Sequence, residues 1–262
     1  MVVSAADAST ATKLPSEAAS RLVWHDLECG GYEADLALWR ELAGAQPQRV
    51  LEVGAGAGRV SLDLARAGHA VTALDHDRDL LSVLESRRRG AAVQTAHADA
   101  RSFSLRGCDF ALCVVPMHTI QLLRDRDERV AFLRCAHAHL RRGGLLACAI
   151  LTRAEPFDCR EEGLGPAEDR AHVDGLLYIS RPVRVEFRRG EIVIERERLI
   201  LGADDGSGSE PRAGSEGMVE LACARDEAVL ARLRRTQLER EAQAAGFQVE
   251  PEIGRASCRE RV

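Results

Sequence analysis
The residues best placed to do chemistry lie between positions 49 and 76. Gly54-Ala55-Gly56-Ala57-Gly58 follows the apolar run Arg49–Val53 and precedes a stretch, Val60 to Ala67, with helical spacing of apolar residues. A glycine-rich turn between a strand and a helix lets backbone amides approach a ligand closely, because no Cβ intervenes. Asp75 stands 21 residues after Gly54, at the end of a second apolar run, Ala70–Leu74. A carboxylate there can accept hydrogen bonds from both hydroxyls of a ribose. Together these features point to a cofactor containing adenosine. The spacing discriminates further. In the dinucleotide fingerprint the third glycine falls where this chain has Arg59, one residue after Gly58. An acid, Glu52, also precedes Gly54 by two residues. A carboxylate there opposes a pyrophosphate and suits a cationic ammonium or sulfonium group.

The surrounding elements must hold these residues in register. Glu33 to Leu42 reads as a helix that stops at Gly44, and Arg49–Val53 as a strand. Val60 to Ala67 reads as a helix closed by Gly68, Ala70–Leu74 as a second strand, and Arg78 to Arg88 as a helix. Ala92–Ala96 and Phe110–Val115 form the third and fourth strands, and Glu128–Leu140 a helix. Gly143-Gly144 then turns the chain into a fifth strand, Leu145–Leu151. Strands that are continuously apolar and alternate with helices belong to a parallel sheet covered on both faces. After Leu151 the pattern changes. Leu176–Phe187 and Glu191–Leu201, joined by Arg188-Arg189-Gly190, read as a β-hairpin. Met218–Arg235 fits strand or helix. Thr236-Gln237-Leu238-Glu239 reads as a capping box opening a helix that ends at Gly246, and Phe247–Val249 begins another strand.

The segment Glu52-Val53-Gly54-Ala55-Gly56-Ala57-Gly58 resembles, in full, the first motif of the class I S-adenosylmethionine-dependent methyltransferases, acid-x-Gly-x-Gly-x-Gly. The resemblance extends over about Tyr32 to Glu252. It implies a doubly wound, mostly parallel, Rossmann-like α/β sheet, with the 176–201 hairpin as an insertion after strand five. It implies S-adenosylmethionine as cofactor, with Glu52, Gly54, Gly56 and Gly58 at the turn. Asp75 would hold the ribose, with His76 bordering the adenosine, and Asp99 in His97-Ala98-Asp99-Ala100 would contact the adenine amino group. Val115 and the following Pro116-Met117-His118 would face the methyl group and the acceptor. His118 is the candidate general base, since imidazole titrates near neutrality. Tyr32 is a candidate cover for the cofactor. The reaction implied is direct displacement onto a small-molecule acceptor whose identity the sequence does not give. The absence of an Asn-Pro-Pro-Tyr type motif after strand four disfavours amide or exocyclic-amine methylation of protein or nucleic acid. The alternatives are a nicotinamide-dependent oxidoreductase, opposed by Glu52 and the early Gly58, and a non-catalytic cofactor-binding protein.

Composition agrees with this reading. The chain has 262 residues, 45% hydrophobic and 29% charged, with a formal charge of −5. The mild acidity opposes a general nucleic-acid or anionic-membrane binder. No run approaches the roughly 18 apolar residues of a membrane span. Eight cysteines, several within apolar runs and none in a Cys-x-x-Cys pair, read as reduced core thiols of a cytoplasmic protein. His25, His69, His76 and His97 show no metal-ligand spacing. Residues 1–15 read as a flexible tail, 16–252 as the catalytic domain, and 253–262 as a non-native tail that resembles a translated sequencing adapter. On that reading the family's final strand is missing, and residues 253–262 do not form a packed inner strand.

Overall fold
A computed structural model describes residues 14–44, 47–107, 109–153, 155–159, 166–203 and 218–249. Helix α1 (Glu17–His25) runs into a π-helical turn, Asp26–Gly30, and is followed by α2 (Leu36–Ala43). Then β1 (Arg49–Val53), α3 (Arg59–Arg66), β2 (Ala70–Asp75), α4 (Arg78–Arg87), β3 (Val93–His97) and β4 (Phe110–Val115) alternate. The short α5 (Thr119–Leu122) and α6 (Arg126–His139) lead into β5 (Leu140–Cys148). These five strands form a parallel sheet in the order β3-β2-β1-β4-β5. The order reverses at β1, so the chains leaving β1 and β4 pass to helices on opposite faces and open a crevice where such sheets bind ligands.

Alternation along each strand sorts side chains onto two layers of helices. Val50, Val71, Ala73, Leu112 and Val114 pack with Trp39, Val60, Leu64, Leu81 and Leu84 of α2, α3 and α4. Leu51, Val53, Leu74, Cys113 and Val115 pack on the other face with Phe132, Leu133 and Ala136 of α6 and with Leu238 and Ala242 of α7 (Arg235–Ala244). Burial on both faces is why the strands read as continuous apolar runs.

The second sheet is larger than the expected hairpin. β8 (Leu176–Arg188) and β9 (Glu191–Ala203) pair antiparallel, and β10 (Met218–Ala231) continues the meander beside β9. The short β6 (Phe157–Asp158) and β7 (Asp169–Val173) both line the other edge of β8. The segment from Met218 that fitted either state is therefore a strand as far as Ala231.

Three expectations are corrected. Gly143-Gly144 does not precede the fifth strand but lies within it. Leu140 already pairs with Phe110, residues 141–144 bulge, and pairing resumes at Leu112 with Leu145. A Cβ at Gly144 would lie 2.9 Å from the Arg141 carbonyl oxygen, which is why the bulge takes glycine. The capping box at Thr236 does not form. α7 starts two residues earlier, with Arg234 rather than Thr236 at its N-cap, and Glu239 accepts from Arg235 at 2.6 Å instead. Phe247–Val249 is not a strand. The Phe247 amide donates back to the Ala242 carbonyl at 3.0 Å, and its ring meets His137 edge-on, so it closes α7 against α6. Among the described residues, β5 is the edge strand of the parallel sheet. Residues 253–262, and 1–13 of the N-terminal tail, lie outside the described residues. No described helix is long and apolar enough to cross a membrane.

Candidate active site
The glycine turn and Asp75 meet at the C-terminal edge of the parallel sheet. β1 and β2 run in parallel register, and the Gly54 and Ala55 amides both donate to the Leu74 carbonyl, at 2.9 and 3.0 Å. The Gly56 amide then donates to Asp75 Oδ2 at 2.8 Å, and the Asp77 amide to Asp75 Oδ1 at 2.9 Å. A carboxylate offers about four lone-pair sites, so two remain for ligand hydroxyls. Gly54, Gly56 and Gly58 all have positive φ, at 77°, 53° and 91°. A Cβ on Gly54 would lie 2.4 Å from Thr119 Cγ2, and one on Gly56 would lie 2.5 Å from His25 Nε2. These positions require glycine both for their backbone conformation and for the close approach of α5 and α1.

Glu52 lies beneath the turn rather than open at its rim. It is 2% exposed, and the Ser61 hydroxyl of α3 donates to it. Burial pushes its carboxyl up to about 8, against the opposing effects of the Ser61 hydrogen bond and nearby Arg59. Arg59, the first residue of α3, fixes the chain ahead of β1. Its guanidinium donates to the Tyr32 carbonyl at 2.7 Å and forks onto Asp35, with Nη2 2.9 Å from Oδ2. The same Asp35 oxygen accepts from Trp39 Nε1 at 2.8 Å. The Tyr32 ring lies under the Arg59 guanidinium at 5.4 Å.

His76 extends outward, with its side chain 86% exposed and Nδ1 3.2 Å from Asp75 Oδ1. Asp99 lies two residues past His97, the register partner of Asp75, so both acids stand at one sheet edge. Asp99 accepts from the Arg101 backbone amide at 2.8 Å and from its guanidinium. That side-chain contact holds its carboxyl down at about 2. Ala100 is half-buried against the α6 side, and Val115 is buried at the end of β4.

Beyond β4 the chain turns sharply. Met117 takes φ 52°, a left-handed conformation uncommon for a non-glycine residue. His118 caps α5, its carbonyl accepting from the Gln121 amide at 2.8 Å. Its ring Nδ1 is buried without a hydrogen-bond partner, and burial lowers its pKa. The next residue, Thr119, is the one that packs on Gly54, so the His118 turn and the glycine turn adjoin.

Two features were not legible in the sequence reading. The first is Gln121, fully buried, which donates from Nε2 to the carbonyls of Ala231 (2.8 Å) and Leu151 (3.2 Å) and accepts the Leu151 amide at 2.6 Å. It ties α5, the chain after β5, and the end of β10 together. The second is α1, whose His25 packs on Gly56. The cue was Ser16, whose hydroxyl caps the helix by accepting from the Ala19 amide.

A glycine cradle closed to any Cβ and a carboxylate with lone pairs to spare fit a polar ligand of nucleoside type. Residues 50–144 match the profile of a methyltransferase domain. A cypemycin N-terminal methyltransferase from Streptomyces sp. is 32% identical over 114 residues, 44% of this chain and 45% of that protein. The match thus spans less than half of that curated relative. Among solved structures, an S-adenosylmethionine-dependent methyltransferase from Clostridium acetobutylicum aligns with a TM-score of 0.62 at 14% identity, over 93% of this chain and 92% of that one. An amino pentose methyltransferase from Micromonospora echinaspora, solved with S-adenosylmethionine bound, aligns with a TM-score of 0.59 at 20% identity, over 88% and 87%. At such identities these structural likenesses establish the fold.

Proposed function
We propose that the chain, whose residues 50–144 match the profile of a methyltransferase domain, moves a methyl group from S-adenosylmethionine to a small-molecule amine. The observation that carries the reading is the 2.8 Å hydrogen bond from the Gly56 amide to Asp75, beside the switch point of the sheet. The bound cofactor supplies a sulfonium methyl already activated for direct displacement by an acceptor lone pair.

The residues of the chain then have positioning roles. Asp75 accepts from the ribose hydroxyls with the lone pairs that Gly56 and Asp77 leave. Asp99 accepts from the adenine amino group, competing with Arg101, and His76 borders the same moiety. The Gly54–Gly58 backbone bounds the cofactor from below, over Glu52. Val115 and the Pro116–His118 turn face the methyl group. Alignment of this kind supplies much of the acceleration in a displacement whose electrophile is preformed. His118, kept neutral by burial, takes the proton that an amine acceptor loses. The amine assignment is supported by the names of the N-terminal and amino pentose methyltransferases that the chain resembles. The roof of the acceptor pocket is assigned to the antiparallel sheet.

Incubation of the full chain with methyl-labelled S-adenosylmethionine and a panel of amino sugars and peptide amines tests this. Label should pass to nitrogen in at least one of them. Replacing His118 with Ala should lower kcat on the order of a hundredfold, with cofactor affinity unchanged. Label transfer at wild-type rate by His118→Ala would remove the base from the mechanism.

A further inference from the structure
Gln121 is a wholly buried amide in the short helix α5, close after the base His118. Taking an amide out of water is costly unless its donors and acceptor are matched. Here both Nε2 hydrogens and Oε1 are used, and every partner is backbone. Nε2 donates to the carbonyls of Ala231 at 2.8 Å and Leu151 at 3.2 Å, and Oε1 accepts the Leu151 amide at 2.6 Å. Ala231 is the last residue of β10, and Leu151 lies just past β5. One side chain therefore pins α5 to strand ends from both sheets.

The base beside it lacks an anchor of its own. A catalytic imidazole is commonly oriented by a hydrogen bond on the nitrogen that does not react. His118 Nδ1 is buried without a hydrogen-bond partner, while the residue as a whole is half-buried, so Nε2 is the nitrogen left to an acceptor. The direction of the ring is then set by the backbone that carries it. That backbone leaves β4 through Met117 at φ 52°, and the His118 carbonyl accepts the Gln121 amide at 2.8 Å. The Thr119 hydroxyl donates to the Pro116 carbonyl at 3.0 Å. Beyond α5, Arg129 Nη1 donates to the carbonyls of Leu123 at 3.0 Å and Arg124 at 2.9 Å. Those bonds shape the turn and its exit. The Gln121 side chain adds the tie to the antiparallel sheet, to which the acceptor roof is assigned.

We propose that Gln121 is a positioning residue for methyl transfer: by locking α5 to Leu151 and Ala231 it fixes His118 against the antiparallel sheet, so that base and acceptor roof keep one spacing. This rests on the base and roof readings given above. Gln121 touches no substrate in this role and acts through His118.

A double-variant cycle on the full chain tests this. Its readouts are label transfer to an amine of the panel that the wild type methylates, calorimetric affinity for S-adenosylhomocysteine, the unfolding midpoint, and the His118 imidazole followed by NMR, assigned through its loss in His118→Ala. Gln121→Met keeps the volume without the hydrogen bonds. It should lower kcat about tenfold and leave cofactor affinity within about twofold of wild type. The His118 titration should move from its lowered position toward 6.5 as the turn loosens and water reaches the ring. In the His118→Ala background the same substitution should change kcat by less than about twofold, because the residue it acts through is gone. Gln121→Glu, protonated by its burial, keeps the bonds to the Leu151 amide and the Ala231 carbonyl and should turn over within about threefold of wild type. Its kcat relative to wild type should fall as pH rises and the carboxyl ionises, which gives the same comparison where Gln121→Met does not fold. Equal kcat losses with and without His118 would overturn the proposal. So would a lowered midpoint with wild-type kcat and an unmoved His118 titration, which would leave Gln121 a stability contact. Wild-type turnover by His118→Ala would instead overturn the base reading. Absence of label on every amine would overturn the acceptor reading, and the NMR titration then decides the role of Gln121 alone.

Discussion
Glu52 shows that the environment of a motif residue depends on strand alternation as well as on spacing. Its spacing before Gly54 suggested a carboxylate facing a cation, but β1 alternation turns the side chain under the sheet onto Ser61. Its folded pKa, about 8, lies above the ordinary 4.5, so the native state holds a proton that the unfolded chain releases. The stabilising contribution is complete below about pH 4.5 and is lost as pH rises through about 8. Stability of the wild type against urea should therefore fall as pH rises from about 5 to about 8.5, and Glu52→Gln should flatten that slope. An identical slope in both proteins would place the titration elsewhere. The place of Asp75 beside the glycine turn was legible, because it depends on strand length and register. Asp99 was legible in place but not in its pairing with Arg101, two residues away, because side-chain rotamers leave no sequence pattern.

At the level of elements, the parallel sheet was readable because strands buried on both faces carry continuous apolar runs. The antiparallel sheet was only half readable. β10 carries Glu220, Arg225, Asp226 and Glu227 among its apolar residues, and one half-exposed face blurs its period against a helix. The α7 boundary was misplaced because Thr236-x-x-Glu239 satisfies the capping pattern, yet the arginine before it begins the helix. What anchors α7 is invisible locally. Arg129 of α6 forks onto Glu241, both contacts at 2.8 Å, with the two side chains 3% and 4% exposed. Burial alone would raise the Glu241 carboxyl, but the Arg129 hydrogen bonds prevail and lower it. Replacing Arg129 with Met strands a buried charge and should cost about 3–5 kcal/mol. The double variant with Glu241→Leu should recover most of that loss. Chemical denaturation of the three proteins measures this, and equal losses in single and double variants would show that the pair is not coupled.

At the scale of the whole molecule, two sheets with different sequence grammars meet at one crevice. α1 and its π-helical turn clasp them through Trp24 and Glu28, and Gln121 staples them through Leu151 and Ala231. The crevice between β1 and β4 is positioned by both layers, so its chemistry is a property of the assembled fold rather than of the glycine motif alone. The central claim is that the Gly54–Gly58 turn and Asp75 form an S-adenosylmethionine site. It is tested most directly by calorimetric titration of S-adenosylmethionine and, separately, of NADH into the full chain, its Asp75→Asn variant and its Asp75→Ala variant. Asn retains an acceptor for the Gly56 amide, which separates loss of the ligand contact from collapse of the turn. The wild type should bind S-adenosylmethionine and not NADH. Asp75→Ala should weaken that binding by about 1.5–3 kcal/mol, and Asp75→Asn by less. Preference for NADH, or unchanged S-adenosylmethionine affinity in Asp75→Ala, would contradict the assignment.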